Sequence, residues 1–150
     1  MLKVIDIQIG MIEVPDEISL TVGLSGCPFR CPGCHTPIMQ SNQGDLIDKV
    51  LWTAIEDNLG GITCVCFLGG DNSLHEVYQL ALKIKKDYEL KTAIYLGASS
   101  LAENYFHAFD FIKLGPYIEK LGGLDSPKTN QRFYQVKNQS LIDITSVFQK

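Results

Sequence analysis

Apolar and polar positions alternate from the start of the chain. Leu2, Val4, Ile7 and Ile9 are separated by polar or glycine positions, and residues 13–17 (Glu-Val-Pro-Asp-Glu) read as a turn or loop. Residues 18–24 (Ile-Ser-Leu-Thr-Val-Gly-Leu) alternate again, which is the period of a strand, and they are read as the first core strand. Further on the period lengthens. Asp45 is placed to cap a helix with Leu46, Ile47, Val50, Leu51, Ala54 and Ile55 on its apolar face, stopped by Gly60 and Gly61. A strand is expected over 63–68. Ser73 and Glu76 have the spacing of a capping box for a second helix, whose buried face is Leu74, Val77, Leu80, Ala81 and Ile84. Lys85 and Lys86 fall near its C-terminal end, where positive charge is favoured. A short strand over 92–96 comes next, then a second possible capping box (Ser100, Glu103) for a short helix ending near Ala108, then a strand over 109–114.

Four strands thus alternate with three helices, which predicts right-handed crossovers and a parallel sheet. Four such units make an open, partial (β/α) barrel with mostly parallel strands; eight do not fit in 150 residues. The expected fold class is therefore α/β. The tail from Pro116 onward shows no clear period, and 132–136 and 141–145 are read as short added strands.

Composition narrows the class of protein. At 150 residues, 45% hydrophobic and 20% charged, the chain is expected to form one domain, residues 1–150. A net charge of −4 does not suggest nucleic-acid binding. No stretch of apolar residues has the length of a membrane span. Five cysteines, an odd number, with no signal peptide, argue against a disulfide framework and for a reducing, cytoplasmic setting.

Three of those cysteines dominate the chemistry. Cys27, Cys31 and Cys34 form C-x3-C-x2-C in the run Gly-Cys-Pro-Phe-Arg-Cys-Pro-Gly-Cys-His, directly after the first core strand. Their spacing also matches one face of a helix, but Pro28, Pro32 and Gly33 oppose a helix there. Zinc requires a fourth ligand, for which the chain offers the adjacent His35 or the distant Cys64 and Cys66. The latter two sit in an apolar stretch that reads as a buried strand, with both side chains on one sheet face. A [4Fe–4S] cluster fits the thiol trio best. Three thiolates bind three irons and leave the fourth open to chemistry, whereas an electron carrier normally closes its cluster with four.

Ligands of parallel α/β sheets gather at the C-terminal strand ends. Gly69-Gly70-Asp71-Asn72 lies at such an end, followed by a helix start that favours a carboxylate. Taken alone, this tetrad is equally well only a turn. Lys113 enters the same face at the end of a later strand, with two readings: a partner for an anionic group, or a solvated strand-terminal lysine.

The cysteine motif resembles that of the radical S-adenosylmethionine (SAM) enzymes. Its form C-x3-C-P-G-C resembles one branch, the activating proteins of anaerobic ribonucleoside-triphosphate reductase. The likeness extends over residues 19–135, including 115–122 and Thr129-Asn130-Gln131-Arg132-Phe133. It implies a small radical SAM partial barrel, with Cys27, Cys31 and Cys34 on a [4Fe–4S] cluster and SAM as cosubstrate. It further implies that Gly69, Gly70 and Asp71 contact the methionyl amino group and that Lys113 pairs with the SAM carboxylate. Many superfamily members have an aromatic residue where this chain has Gly33, whose backbone would help hold adenine; glycine there is common in the activating branch. His35 is read either as a hydrogen-bond partner of the adenosine or as a structural residue beside the loop. Asn130 and Gln131 line the site, meet a partner or cap a turn. The implied activity is reductive SAM cleavage to a 5′-deoxyadenosyl radical that generates a glycyl radical on the large subunit of the anaerobic reductase, with a flavodoxin-like reductant. Alternatives are another small radical SAM activase or modifying enzyme, an iron–sulfur electron-transfer protein, and a zinc-binding module.

Overall fold

The computed structural model describes residues 2–25 and 44–149. Among the described residues eight strands form one sheet in the order β3-β1-β2-β4-β5-β6-β7-β8. They are β1 (Lys3–Gly10), β2 (Ser19–Leu24), β3 (Asp45–Leu46), β4 (Cys64–Leu68), β5 (Lys91–Tyr95), β6 (Phe111–Leu114), β7 (Arg132–Lys137) and β8 (Ser140–Asp143). Among the described residues two α-helices accompany them, α1 (Ile47–Asp57) and α2 (Leu74–Tyr88). Among the described residues no helix is long and apolar enough to cross a membrane.

The centre of the sheet follows the expected pattern. β2, β4, β5 and β6 are mutually parallel neighbours. The flanks do not. β1 pairs antiparallel with β2 and with β3, and β7 pairs antiparallel with β6 and β8. The sheet is therefore mixed, with three parallel and four antiparallel pairings, and the mostly parallel barrel expected from alternation is corrected to an open mixed α/β sheet. The reason is connection length. Only eight residues separate β1 from β2, too few for a parallel crossover but enough for a hairpin. β7 and β8 are joined by Asn138 and Gln139, both at positive φ (51° and 61°), the backbone of a tight hairpin turn.

Alternation along the central strands divides the core. Leu20, Val22, Val65, Phe67, Ile94 and Ile112 face α1 and α2, meeting Leu51, Ile55, Val77, Ala81 and Ile84. Cys64, Cys66, Ala93, Phe111 and Phe133 form a second cluster with Val14, Ile144 and Phe148. Cys64 and Cys66 are fully buried on that one face, as their i, i+2 spacing in a strand predicts.

Helix faces agree with the apolar period, while the expected caps do not form. Ile47, Leu51 and Ile55 are the buried residues of α1. Asp45 is not its cap: it pairs with Val4 in β3, leaving Leu46 at the N-cap. α1 ends before the glycines, at Asn58, whose side-chain amide donates to the Ala54 carbonyl at 2.7 Å. Ser73 occupies the N-cap of α2 without a side-chain cap hydrogen bond, and Glu76 instead accepts the Leu2 amide at 3.2 Å. The third expected helix is a 3-10 segment, Glu103–Ala108, with Ala102 rather than Ser100 at its start.

Candidate functional site at the strand ends

Because β2, β4, β5 and β6 run parallel, their C-terminal ends share one edge of the sheet. β2 ends at Leu24, immediately before the segment that carries the three cysteines. Cys27, Cys31, Cys34, Gly33 and His35 lie outside the described residues. The other expected site residues are described, and Gly69, Gly70, Asp71 and Lys113 all fall on this edge.

Gly69 and Gly70 follow β4 at φ 101° and 108°. A side chain at Gly70 would place its Cβ 2.9 Å from Val77 Cγ2 and 3.4 Å from Leu24 Cδ1. Glycine is thus required there both by dihedral and by the close approach of the turn to the core. The chain then makes a 3-10 turn, Asp71–Ser73, before α2 begins.

Asp71 reaches across to the end of β5. Its Oδ2 accepts the Gly97 amide and its Oδ1 accepts the Ala98 amide, both at 3.1 Å. The β5 end is joined in turn to the β6 end: the Gly115 amide donates to the Ala98 carbonyl at 2.7 Å. Lys113 is 8% exposed and is no solvated lysine. Its Nζ donates to the Leu96 carbonyl at 3.1 Å and the Gly115 carbonyl at 2.8 Å, and lies 5.8 Å from the centroid of the Tyr95 ring. A buried ammonium so held brings positive charge to the edge that the cysteine segment also leaves.

Asn130 and Gln131 act as turn-holding residues. Asn130 Nδ2 donates to the Pro116 carbonyl at 3.0 Å, and Gln131 Nε2 donates to the Gly115 carbonyl at 3.4 Å. Gly97, Ala98 and Gly115 were not anticipated as part of this rim. A signal for two of them was present: a Leu-Gly pair falls at or just past the end of each of the three strands, at Leu68-Gly69, Leu96-Gly97 and Leu114-Gly115.

Burial governs the titration of the two remaining cysteines. Burial pushes the Cys64 thiol up to about 12 against the partial opposition of the Ser19 hydroxyl. Cys66 is raised well above its usual value, first by burial and then by Cys64 and Glu13. Burial also raises the Tyr95 phenol, whose hydroxyl donates to the Glu13 carbonyl at 2.5 Å. Both thiols lie in the apolar core cluster, a setting that disfavours the thiolate form used in metal ligation. No cluster of three or more potential metal ligands occurs among the described residues. The donor set that fits an iron–sulfur cluster is the run of three cysteines after β2, whose thiols are the usual ligands of such a centre.

A mixed α/β sheet whose strand β2 is followed in sequence by a run of three cysteines has the features of an iron–sulfur protein. The chain belongs to the family described as 4Fe-4S single cluster domain, whose model matches residues 18–122. The match spans the three cysteines and the whole parallel centre from β2 to β6. No curated protein and no solved structure matches the chain.

Proposed function

We propose that this chain is a radical SAM activase that generates a glycyl radical on the large subunit of an anaerobic ribonucleoside-triphosphate reductase. The observation that carries this reading is the three-cysteine spacing inside an iron–sulfur family match. Three protein ligands on a four-iron centre leave one iron for a cosubstrate. A cluster held by Cys27, Cys31 and Cys34 would supply the one-electron chemistry needed to cleave the SAM sulfonium to methionine and a 5′-deoxyadenosyl radical.

The chain's own residues would hold and orient. Cys27, Cys31 and Cys34 provide the thiolates. Gly69 and Gly70 present backbone where no side chain intervenes, and Gly33 does the same for adenine. Lys113 brings a desolvated cation to the edge where the SAM carboxylate would bind, a setting in which charge acts strongly. His35 would hydrogen-bond the adenosine. A flavodoxin-like protein would supply the electron.

The rival reading is an electron-transfer protein, favoured by a family description that names a cluster and no reaction. One anaerobic experiment separates them. The chain is reconstituted with iron and sulfide, reduced and given SAM, and 5′-deoxyadenosine is assayed. The activase forms it; an electron carrier holds the cluster and forms none. Electron paramagnetic resonance after mixing with a candidate reductase then tests the partner, and absence of a glycyl radical points to another target.

A further inference from the structure

We propose that Asp71 is a positioning residue: its two carboxylate oxygens pin the Gly97–Ala98 backbone, and it acts on a bound cosubstrate through that backbone and Lys113. The proposal rests on the SAM-binding reading above and departs from the direct contact with the amino group that the resemblance implies for Asp71.

The geometry carries the assignment. Each carboxylate oxygen accepts one amide, from Gly97 and from Ala98, 26 and 27 residues away in sequence. Both bonds are partly buried and charge-assisted, the stronger class of hydrogen bond. β5 itself ends at Tyr95, so these two amides lie beyond its strand pairing, and Asp71 satisfies groups the sheet does not. The acid is in turn held by its own backbone. Gly70, just before it, packs against Val77, Leu24 and Ile94 at a φ that only glycine readily adopts.

The turn that Asp71 holds is the one on which Lys113 rests. The Ala98 carbonyl accepts the Gly115 amide, and Lys113 bridges the Leu96 and Gly115 carbonyls. The ends of β4, β5 and β6 are thus one connected rim, with Asp71 as the link from β4. Loss of that link releases the β5 end and lets the buried ammonium shift. Binding that depends on placement to a fraction of an ångström is then weakened without loss of any group that touches the ligand.

The test uses the cluster-reconstituted full chain under anaerobic conditions, with Asp71→Asn and Asp71→Glu. Hydrogen exchange of the peptide spanning residues 94–100 is measured together with equilibrium binding of SAM before any reductant is added. In Asp71→Asn one acceptor becomes a donor facing an amide. Exchange at the Gly97 and Ala98 amides should rise at least tenfold and SAM affinity should fall at least tenfold, while peptides from β7 exchange as in the wild type. Asp71→Glu keeps both acceptors and should retain more protection and, in proportion, more affinity. Lost affinity with unchanged exchange overturns the proposal in favour of direct contact with SAM. Faster exchange with unchanged affinity overturns it in favour of a purely structural bond. If Asp71→Asn does not fold, Asp71→Glu decides by the same pair of readouts. A wild-type chain that binds no SAM at all instead sinks the activase reading, and the exchange arm still reports the Asp71 latch by itself.

Discussion

The ammonium of Lys113, on β6, donates to the carbonyl of Leu96, one residue beyond β5, at 3.1 Å. One side chain therefore ties together two neighbouring strand ends, since it also reaches the Gly115 carbonyl at 2.8 Å. Lys113→Met keeps the length of the stem and removes the donor. It should lower unfolding free energy by about 1–3 kcal/mol, because the Leu96 carbonyl loses this donor and the Gly115 carbonyl keeps only the longer bond from Gln131. Urea denaturation checks the stability, and SAM titration of the folded variant should show weaker binding if the lysine also meets the carboxylate.

Gly70→Ala tests the turn. The new Cβ would lie 2.9 Å from Val77 Cγ2 at a φ of 108°. Strain of this kind costs about 1–3 kcal/mol, so the variant should melt several degrees lower. Differential scanning calorimetry reads the shift. Gly60→Ala is the control: Gly60 also has positive φ (87°), yet nothing lies within 4 Å of its added Cβ. It should lose less.

Cysteine replacements should divide into two groups. Alanine at Cys27, Cys31 or Cys34 should abolish iron retention and the visible absorption of the cluster, with the folded far-ultraviolet spectrum kept. Cys64→Ala should retain iron and lose only packing. Iron and sulfide analysis after anaerobic desalting distinguishes the groups; loss of the cluster from Cys64→Ala would contradict the ligand assignment.

Alkaline pH should destabilise the fold. The Cys64 thiol titrates near 9.0 when unperturbed and at about 12 in the folded chain. Between those values the unfolded chain has released the proton and the folded chain still carries it, so the folded state binds more protons and stability falls as pH rises. Stability from this group is complete below about pH 9 and is lost progressively as the pH rises from there toward the folded value. Unfolding midpoints measured under reducing conditions from about pH 8 to pH 11 should decline, and Cys64→Ala should decline less steeply.

Much of the sheet was legible because local period reports burial. β2, β4, β5, β6 and the faces of α1 and α2 lie within a few residues of where alternation or helical spacing places them, and the face shared by Cys64 and Cys66 follows from the same rule. Capping was not legible. Asp45 was drawn into β3 by Val4, and Glu76 was drawn to the Leu2 amide, partners more than forty residues distant. A capping motif describes a local option, and a tertiary partner can outbid it.

The order of the residues alone determined the three-thiol motif, the alternating core strands and the glycine-rich turn at the end of β4, because each depends on neighbours close in the chain. Only tertiary structure decided that antiparallel strands flank the parallel centre, that Asp71 spends its carboxylate on Gly97 and Ala98, and that Lys113 is buried between strand ends. Those outcomes depend on which distant backbone groups come within hydrogen-bonding reach once the sheet has formed, and local periodicity carries no information about that.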